Sequence, residues 1–141
     1  MRTRPSPESA QIACAQGLFN VVGGVWPLLH MRSFEAVTGP KADRWPVRTV
    51  AGLIVTNGAA LLRAGWSGDG VATARAVGMG TALVLGAIDV VYAGRHRISP
   101  VYLLDAVMEA GWLVAWTWRS GGTAHSRAIS PALFGRSVGC A

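Results

Sequence analysis

The chain has 141 residues, of which 51% are hydrophobic and 14% are charged, whereas roughly 25% are charged in an average soluble domain. The length limits it to one domain, and the shortage of charge, with a mean hydropathy of +0.36, favours a membrane protein over a soluble one. The net charge of +6 does not indicate nucleic-acid binding, because the 13 basic residues are scattered singly along the sequence.

Four apolar stretches are long enough to cross a bilayer, which takes about 17 to 25 residues of helix. The first runs from about residue 12 to 29 and the second from about 47 to 66. The third runs from about 73 to 93, and the fourth from Pro100, which suits a first helical turn, to about 118. Short connections join them. The sequence therefore predicts an all-α, four-helix transmembrane bundle with antiparallel, up-down topology.

The two ends of the chain differ from this bundle in composition. Residues 120–141 are rich in Gly, Ser, Ala and Arg, so they are predicted to form a flexible, disordered basic tail after a membrane domain of residues 1–119. Near the other end, Gln11, Gln16 and Asn20 interrupt the apolar run that a signal peptide needs. The first helix is therefore expected to be retained.

The tryptophans and the basic residues bear on the placement of the spans in a membrane. Four of the six tryptophans fall near predicted helix ends, as an aromatic belt requires: Trp26, Trp45, Trp66 and Trp118. Seven basic residues lie on the side of the termini and six on the other side. The difference is one residue, and it favours cytoplasmic termini.

Three carboxyl groups interrupt the last two spans: Asp89 in the third, and Asp105 and Glu109 in the fourth. Ionisable groups inside a membrane are costly and generally face the bundle interior, where they mark a site. At about 100° per residue, one face of the fourth helix collects acidic and aromatic side chains, namely Tyr102, Asp105, Glu109, Trp112 and Trp116. The remaining surface is suited to lipid: Leu103, Leu104, Val107, Ala110 and Val114.

Each of the other spans carries a stripe of small or polar residues at helical spacing. On the first span these are Gln16, Asn20 and Gly24. On the second they are Thr49, Gly52, Thr56, Ala59 and Arg63, and on the third Gly78, Ala82, Gly86 and Asp89. Small residues let membrane helices pack closely, so all four stripes are expected to face a common axis.

The depths of the three acids place them together. Asp89 lies about five residues before the third connection and Asp105 about five after it, so they reach similar heights, with Glu109 one turn deeper. The predicted ligand site comprises these acids, three aromatic residues and one counter-charge: Asp89, Asp105, Glu109, Tyr92, Tyr102, Trp112 and Arg48. Carboxylates this close in a low dielectric should not all ionise, so at least one is expected to hold a proton.

Such a cluster suits a small cationic or lipid-like ligand, or a proton, and the rings add cation–π attraction. Two alternatives stay open. A non-catalytic membrane subunit would keep the charges for helix packing and assembly. A membrane enzyme would use a perturbed carboxyl group on a lipid-soluble substrate, although no nucleophile–base arrangement points to an enzyme.

Neither a metal nor a cofactor is predicted, because the three histidines have no second ligand at metal spacing. Cys14 and Cys140 are expected to be inert thiols. The expected partners are the lipid bilayer, a small hydrophobic or cationic ligand, and another copy of the chain or a larger membrane complex.

Three segments resemble those of small bacterial inner-membrane proteins. They are Gly17-Leu-Phe-Asn-Val-Val-Gly-Gly-Val-Trp-Pro, the Phe34 to Trp45 loop with Thr38-Gly-Pro-Lys, and Ala87-Ile-Asp-Val-Val-Tyr followed by Arg97-Ile-Ser-Pro-Val-Tyr-Leu-Leu-Asp. Over residues 17–116 the chain also resembles, more loosely, the four-helix DoxX-like proteins. The resemblance implies a four-span fold in a bacterial inner membrane and says little about activity. Small multidrug transporters differ, because their acid belongs in the first helix, where this chain has Gln16 and Asn20.

Overall fold

The structure, a computed structural model, describes residues 7–118. Within that range the chain forms five α-helices and no strand, which confirms the predicted all-α fold. The helices are α1 (Pro7–Leu29), α2 (Met31–Thr38), α3 (Arg44–Ser67), α4 (Val71–Gly94) and α5 (Tyr102–Trp118). The predicted tail, with His125 and Cys140, lies outside the described residues.

The short helix α2 occupies a stretch that the sequence predicted to be a connection. His30 caps its start, where the Nδ1 atom accepts a hydrogen bond from the Ser33 amide at 3.2 Å. It ends at Gly39, whose φ of 86° suits glycine. With eight residues it is too brief for a periodic pattern to reveal it in the sequence.

Helices α1 and α3 run antiparallel and touch backbone to backbone. A Cβ atom added to Gly17 would lie 2.8 Å from the carbonyl oxygen of Gly58, and one added to Gly58 would lie 2.7 Å from that of Gly17. A Cβ atom on Gly24 would lie 2.7 Å from the carbonyl oxygen of Ala51. These glycines therefore set both the distance and the rotation of α3 against α1.

The stripe of α3 that was predicted to point inward is instead on the outside. Thr49, Thr56, Ala59 and Arg63 are exposed, and Gly52 is half-buried. The buried face consists of Ala51, Gly58, Leu61 and Ala64. Two stripes of small residues thus run along this helix, one exposed and one buried. Only the buried stripe contains Gly58, the glycine that meets Gly17. The Thr49 and Thr56 hydroxyls donate to carbonyl oxygens of their own helix at 3.0 and 2.9 Å, so neither needs an interior partner.

Helices α4 and α5 form a second pair, and Gln16 of α1 joins it to the first. The buried Gln16 side chain donates from Nε2 to the Gly78 carbonyl oxygen of α4 at 2.9 Å. Its Oε1 atom accepts from Trp116 Nε1 of α5 at 2.7 Å. We call the level of these two hydrogen bonds the Gln16 layer. On its side away from α2, buried apolar side chains form the core: Ile12, Ala13, Leu61, Ala64, Ala74 and Trp116.

Two helices, α1 and α4, are long and apolar enough to cross a membrane. At 1.5 Å per residue they measure about 34 to 36 Å, compared with about 30 Å for the hydrocarbon core of a bilayer. The outer surface of α4 and α5 is also apolar. Seven of its large side chains are more than half exposed: Leu83, Val84, Val90, Leu104, Val107, Val114 and Trp118. Continuous apolar surfaces of this kind contact a membrane or another protein.

The α1–α3 contact predicts opposite outcomes for two glycines of the same helix. Gly58→Ala should lower the free energy of unfolding by about 1–3 kcal/mol, because the new methyl group meets the α1 backbone. Gly52→Ala should leave stability unchanged or raise it by up to about 1 kcal/mol, since nothing lies within 4 Å of its added Cβ atom. Thermal unfolding of the two purified variants compares them, and equal melting temperatures would contradict the backbone contact.

Candidate functional site

A cavity of about 870 Å³ lies on the α2 side of the Gln16 layer, and all five helices contribute to its wall. The wall is mostly apolar. The polar side chains that line it are few: Asn20, Thr38, Asp89, Tyr102, Asp105 and Glu109. A large apolar pocket with a few convergent polar groups is the usual form of a small-molecule site.

The three acids meet on facing surfaces of α4 and α5. Asp105 and Glu109 share one face of α5 because they are four residues apart, and Asp89 faces them from α4. The side chains of Asp89 and Glu109 are 6% and 1% exposed. All three acids belong to the wall of the same cavity, so their carboxyl groups lie around one shared space.

Four buried side-chain atoms in residues 7–118 have no hydrogen-bond partner in the protein. They are Asn20 Nδ2, Asp89 Oδ2, Glu109 Oε2 and Trp112 Nε1. Folded proteins pair nearly all such atoms, because each unpaired one costs about 1–3 kcal/mol. Three of the four belong to cavity-lining residues. The residues that line the cavity thus hold one donor and two acceptors that have no partner in the protein.

Aromatic rings line the part of the cavity that lies between α1 and α2. Trp26 packs edge-on against Phe34 with ring centroids 5.5 Å apart, and its Nε1 atom donates to Ser33 Oγ at 2.8 Å. Phe19 also lines the cavity, and the Trp112 ring packs against it with centroids 5.8 Å apart. The ring faces offer a cation several attractive surfaces.

Lys41 lies over two of the rings that line the cavity. Its Nζ atom is 5.0 Å from the Tyr102 ring centroid and 5.8 Å from that of Phe34. It also donates to the Thr38 carbonyl oxygen at 3.1 Å. Lys41 therefore ties the end of α2 to the start of α5. Within the part of the chain that the structure describes, no Lys or Arg forms an ion pair with Asp89, Asp105 or Glu109.

An ion pair fastens α2 to the start of α3. Arg44 donates from Nε to Glu35 Oε1 at 2.9 Å and from Nη2 to Glu35 Oε2 at 2.7 Å. These hydrogen bonds hold the pKa of the Glu35 carboxyl below its usual value. Because the pKa is lowered, the pair is complete at neutral pH and is lost only as the pH falls through that lowered value.

Four of the seven residues predicted for the site line the cavity: Asp89, Asp105, Glu109 and Tyr102. Trp112 lies behind Phe19, outside the lining. Tyr92 is 46% exposed and does not line the cavity. Arg48 is exposed on the outer side of α3 and pairs with none of the acids. The glycine contact with α1 sets the rotation of α3, and this rotation turns Arg48 away from the predicted counter-charge position.

Asn20 and Lys41 are not among the residues predicted for the site. Asn20 follows Gln16 by four residues on the inward face of α1, which was a usable signal, but an interhelical hydrogen bond was an equally good explanation for it. Lys41 had no comparable signal, because its place over Tyr102 depends on the short helix α2.

The contact between Lys41 and the rings predicts that α2 loosens when the ammonium group is removed. Lys41→Gln should speed amide hydrogen exchange in α2 by roughly two- to fivefold, since an exposed cation–π contact contributes about 0.5–1 kcal/mol. Arg32→Gln, at an exposed position of the same helix, is the matched control and should change nothing. Equal exchange rates in both variants and the unmodified protein would contradict the role given to Lys41.

Comparison of the chain with protein-family models, with curated proteins and with solved structures found no match. The resemblance to DoxX-like proteins therefore stays a prediction. The function has to be inferred from the cavity and from the outer surface of the helices.

Proposed function

We propose that the chain is a four-helix integral membrane protein whose cavity binds a small apolar cation, an amine with a hydrophobic body. The main support for this proposal is that three acids without a basic partner lie in a mostly apolar cavity. The lipid-like ligand and the proton considered from the sequence are less complete matches, because neither alone uses both the carboxyl groups and the apolar wall.

The exposed surface supports a membrane location for all four long helices. At the ends of α3 and α5, Trp45, Trp66 and Trp118 are 71%, 78% and 81% exposed, whereas Trp116, farther inside α5, is 1% exposed. Exposed tryptophans at helix ends suit the two interfaces of a bilayer. Helix α5 has 17 residues, or about 26 Å, a length that a slightly thinned bilayer accommodates. With the DoxX-like resemblance, this favours a bacterial inner membrane, and the count of basic residues favours cytoplasmic termini.

The acids explain the preference for a cation. Three carboxyl groups around one mostly apolar cavity should not all ionise, so at least one of them holds a proton. An ammonium group that enters the cavity replaces that proton without changing the net charge, so the protein avoids an uncompensated charge in a low dielectric. Binding of the amine then releases H⁺, and the aromatic rings add cation–π attraction.

The competing structural role is less well supported by the contacts. Buried charges that hold helices together are normally paired across the helix interface. Here Gln16 and Trp116 make the hydrogen bond between α1 and α5, whereas Asp89 Oδ2 and Glu109 Oε2 are left without partners.

The membrane part of the proposal predicts how the protein fractionates. Extraction of cell membranes with alkaline carbonate should leave the chain in the pellet, because the apolar surface of its long helices remains in lipid. Detergent should then release it. Immunoblots of the two fractions make the measurement, and recovery of the chain in the carbonate supernatant would contradict a membrane-spanning fold.

The ligand part of the proposal predicts the behaviour of carboxyl variants. Dimethyl(phenylbutyl)amine should stabilise the detergent-purified protein by about 2.7 kcal/mol at a hundredfold excess over its Kd. Asp105→Asn and Glu109→Gln should remain folded yet bind this amine at least about tenfold more weakly, a loss of about 1.4 kcal/mol. Glu35→Gln, outside the cavity, should keep the full thermal shift.

Two results would count against this role for the acids. Unfolding or degradation of both carboxyl variants would favour the structural role instead. Retention of the full amine-induced thermal shift in both variants would show that the acids do not bind the cation. Calorimetry in buffers with different ionisation enthalpies adds an independent readout, since about one proton should be released for each amine bound.

A further inference from the structure

We infer that the ligand carries a hydrogen-bond acceptor in addition to its cationic group, and that Asn20 is the residue that recognises this acceptor. The inference rests on the proposed function, since the carboxyl groups hold the cation. It narrows the ligand from an apolar amine to an amine that also bears a carbonyl, ether or hydroxyl oxygen.

Asn20 provides a buried donor that the protein itself does not use. The residue is 2% exposed and lines the cavity, and its Nδ2 atom has no partner. An amide nitrogen only donates hydrogen bonds, whereas an ionised carboxyl group only accepts them. The amide of Asn20 and the unpaired carboxyl oxygens therefore call for opposite chemical groups in the same occupant.

The neighbouring donors are already occupied. The Thr38 hydroxyl donates to the Phe34 carbonyl oxygen at 2.8 Å, and Trp26 Nε1 donates to Ser33 Oγ at 2.8 Å. The Tyr102 hydroxyl belongs to a half-buried side chain and is therefore not a buried donor. Among the lining side chains of residues 7–118, Asn20 thus supplies the buried donor that remains available to a ligand.

Gln16 is buried as deeply as Asn20, yet both polar atoms of its amide have hydrogen-bond partners, so burial alone does not explain why Asn20 Nδ2 has no partner. Gln16 lies one turn earlier on the same face of α1, and its amide makes two hydrogen bonds that join three helices. Asn20 faces the cavity, where these helices no longer meet. One amide is therefore structural, and the next belongs to the cavity wall and keeps a donor without a partner.

The resulting ligand class is an apolar amino ketone, amino ether or amino alcohol. A simple alkylamine satisfies the carboxyl groups but leaves Asn20 Nδ2 unpaired. Sites that bury a polar group reject analogues that lack its partner more strongly than they reject small changes in apolar size. The cavity should therefore discriminate between two amines of nearly equal shape.

The test uses three probes: γ-dimethylaminobutyrophenone, dimethyl(phenylbutyl)amine and the uncharged butyrophenone. Affinities are measured by isothermal titration of the full chain in detergent. The wild-type protein should bind the amino ketone about tenfold more tightly than the plain amine, the effect of one hydrogen bond otherwise left unmade. Butyrophenone, which lacks the cation, should bind more weakly than either.

Asn20→Leu should abolish the tenfold preference by weakening amino ketone binding alone. Asn57→Leu is the matched control. Asn57 donates to Thr81 Oγ1 at 3.3 Å, outside the cavity lining, so this variant should keep the preference. If the Asn20→Leu protein does not fold, Asn20→Ala removes the same amide without adding volume.

The possible results separate the two proposals. If both amines bind equally well to the wild-type protein, or if the preference survives in the Asn20 variant, the role of Asn20 is overturned while amine binding stands. Water that satisfies the amide permanently would give the first of these results. If neither amine binds, the proposed function itself fails.

Discussion

The two hydrogen bonds of Gln16 are the constraint on which the rest of this structure depends. They reach from α1 to α4 and to α5, and they are the buried hydrogen bonds that join the pair α1 and α3, which is in backbone contact, to the pair α4 and α5. In an apolar surrounding, an amide that lost these partners would be costly, so the helices must cross at this level. Beyond it on one side the apolar core closes around Trp116, and on the other side the pairs enclose the cavity.

The glycine contact between α1 and α3 acts on the same site indirectly. Because Gly17 and Gly58 bring the two backbones together, α3 can present only one of its two small-residue stripes to α1. The chosen rotation exposes Arg48 and Arg63, and it leaves the cavity wall on the α3 side to Pro46, Val47, Val50, Ala51 and Ile54. This wall brings no basic side chain to the acids. The apolar character of the cavity on that side is therefore a consequence of backbone packing two turns away.

The sequence was sufficient to predict the buried face of a helix where that helix carries a single periodic stripe. In α5 the acidic and aromatic residues of the face predicted to point inward are buried or half-buried, while Leu104 and Val107 are 68% and 69% exposed, as the helical period predicts. In α3 two stripes competed, and both are rich in small residues. Which of the two stripes is buried depends on Gly17, which belongs to α1. No pattern within the α3 sequence carries that information. The error at Arg48 follows from that choice, and Lys41 was missed because α2 was predicted to be a connection.

The acids themselves give the strongest reason to expect an occupant. Helix packing does not require their charges, because Glu109 meets α4 through its Cβ atom: a Cβ atom added to Gly86 would lie 3.3 Å from it. Nor does solubility require them, since the outward faces of α4 and α5 are apolar. Buried polar groups that neither pack helices nor meet water are destabilising unless something else binds them. The cost falls on two acids and one amide around one cavity, Asp89, Glu109 and Asn20, where a single molecule with a cationic group and an acceptor would satisfy all of them.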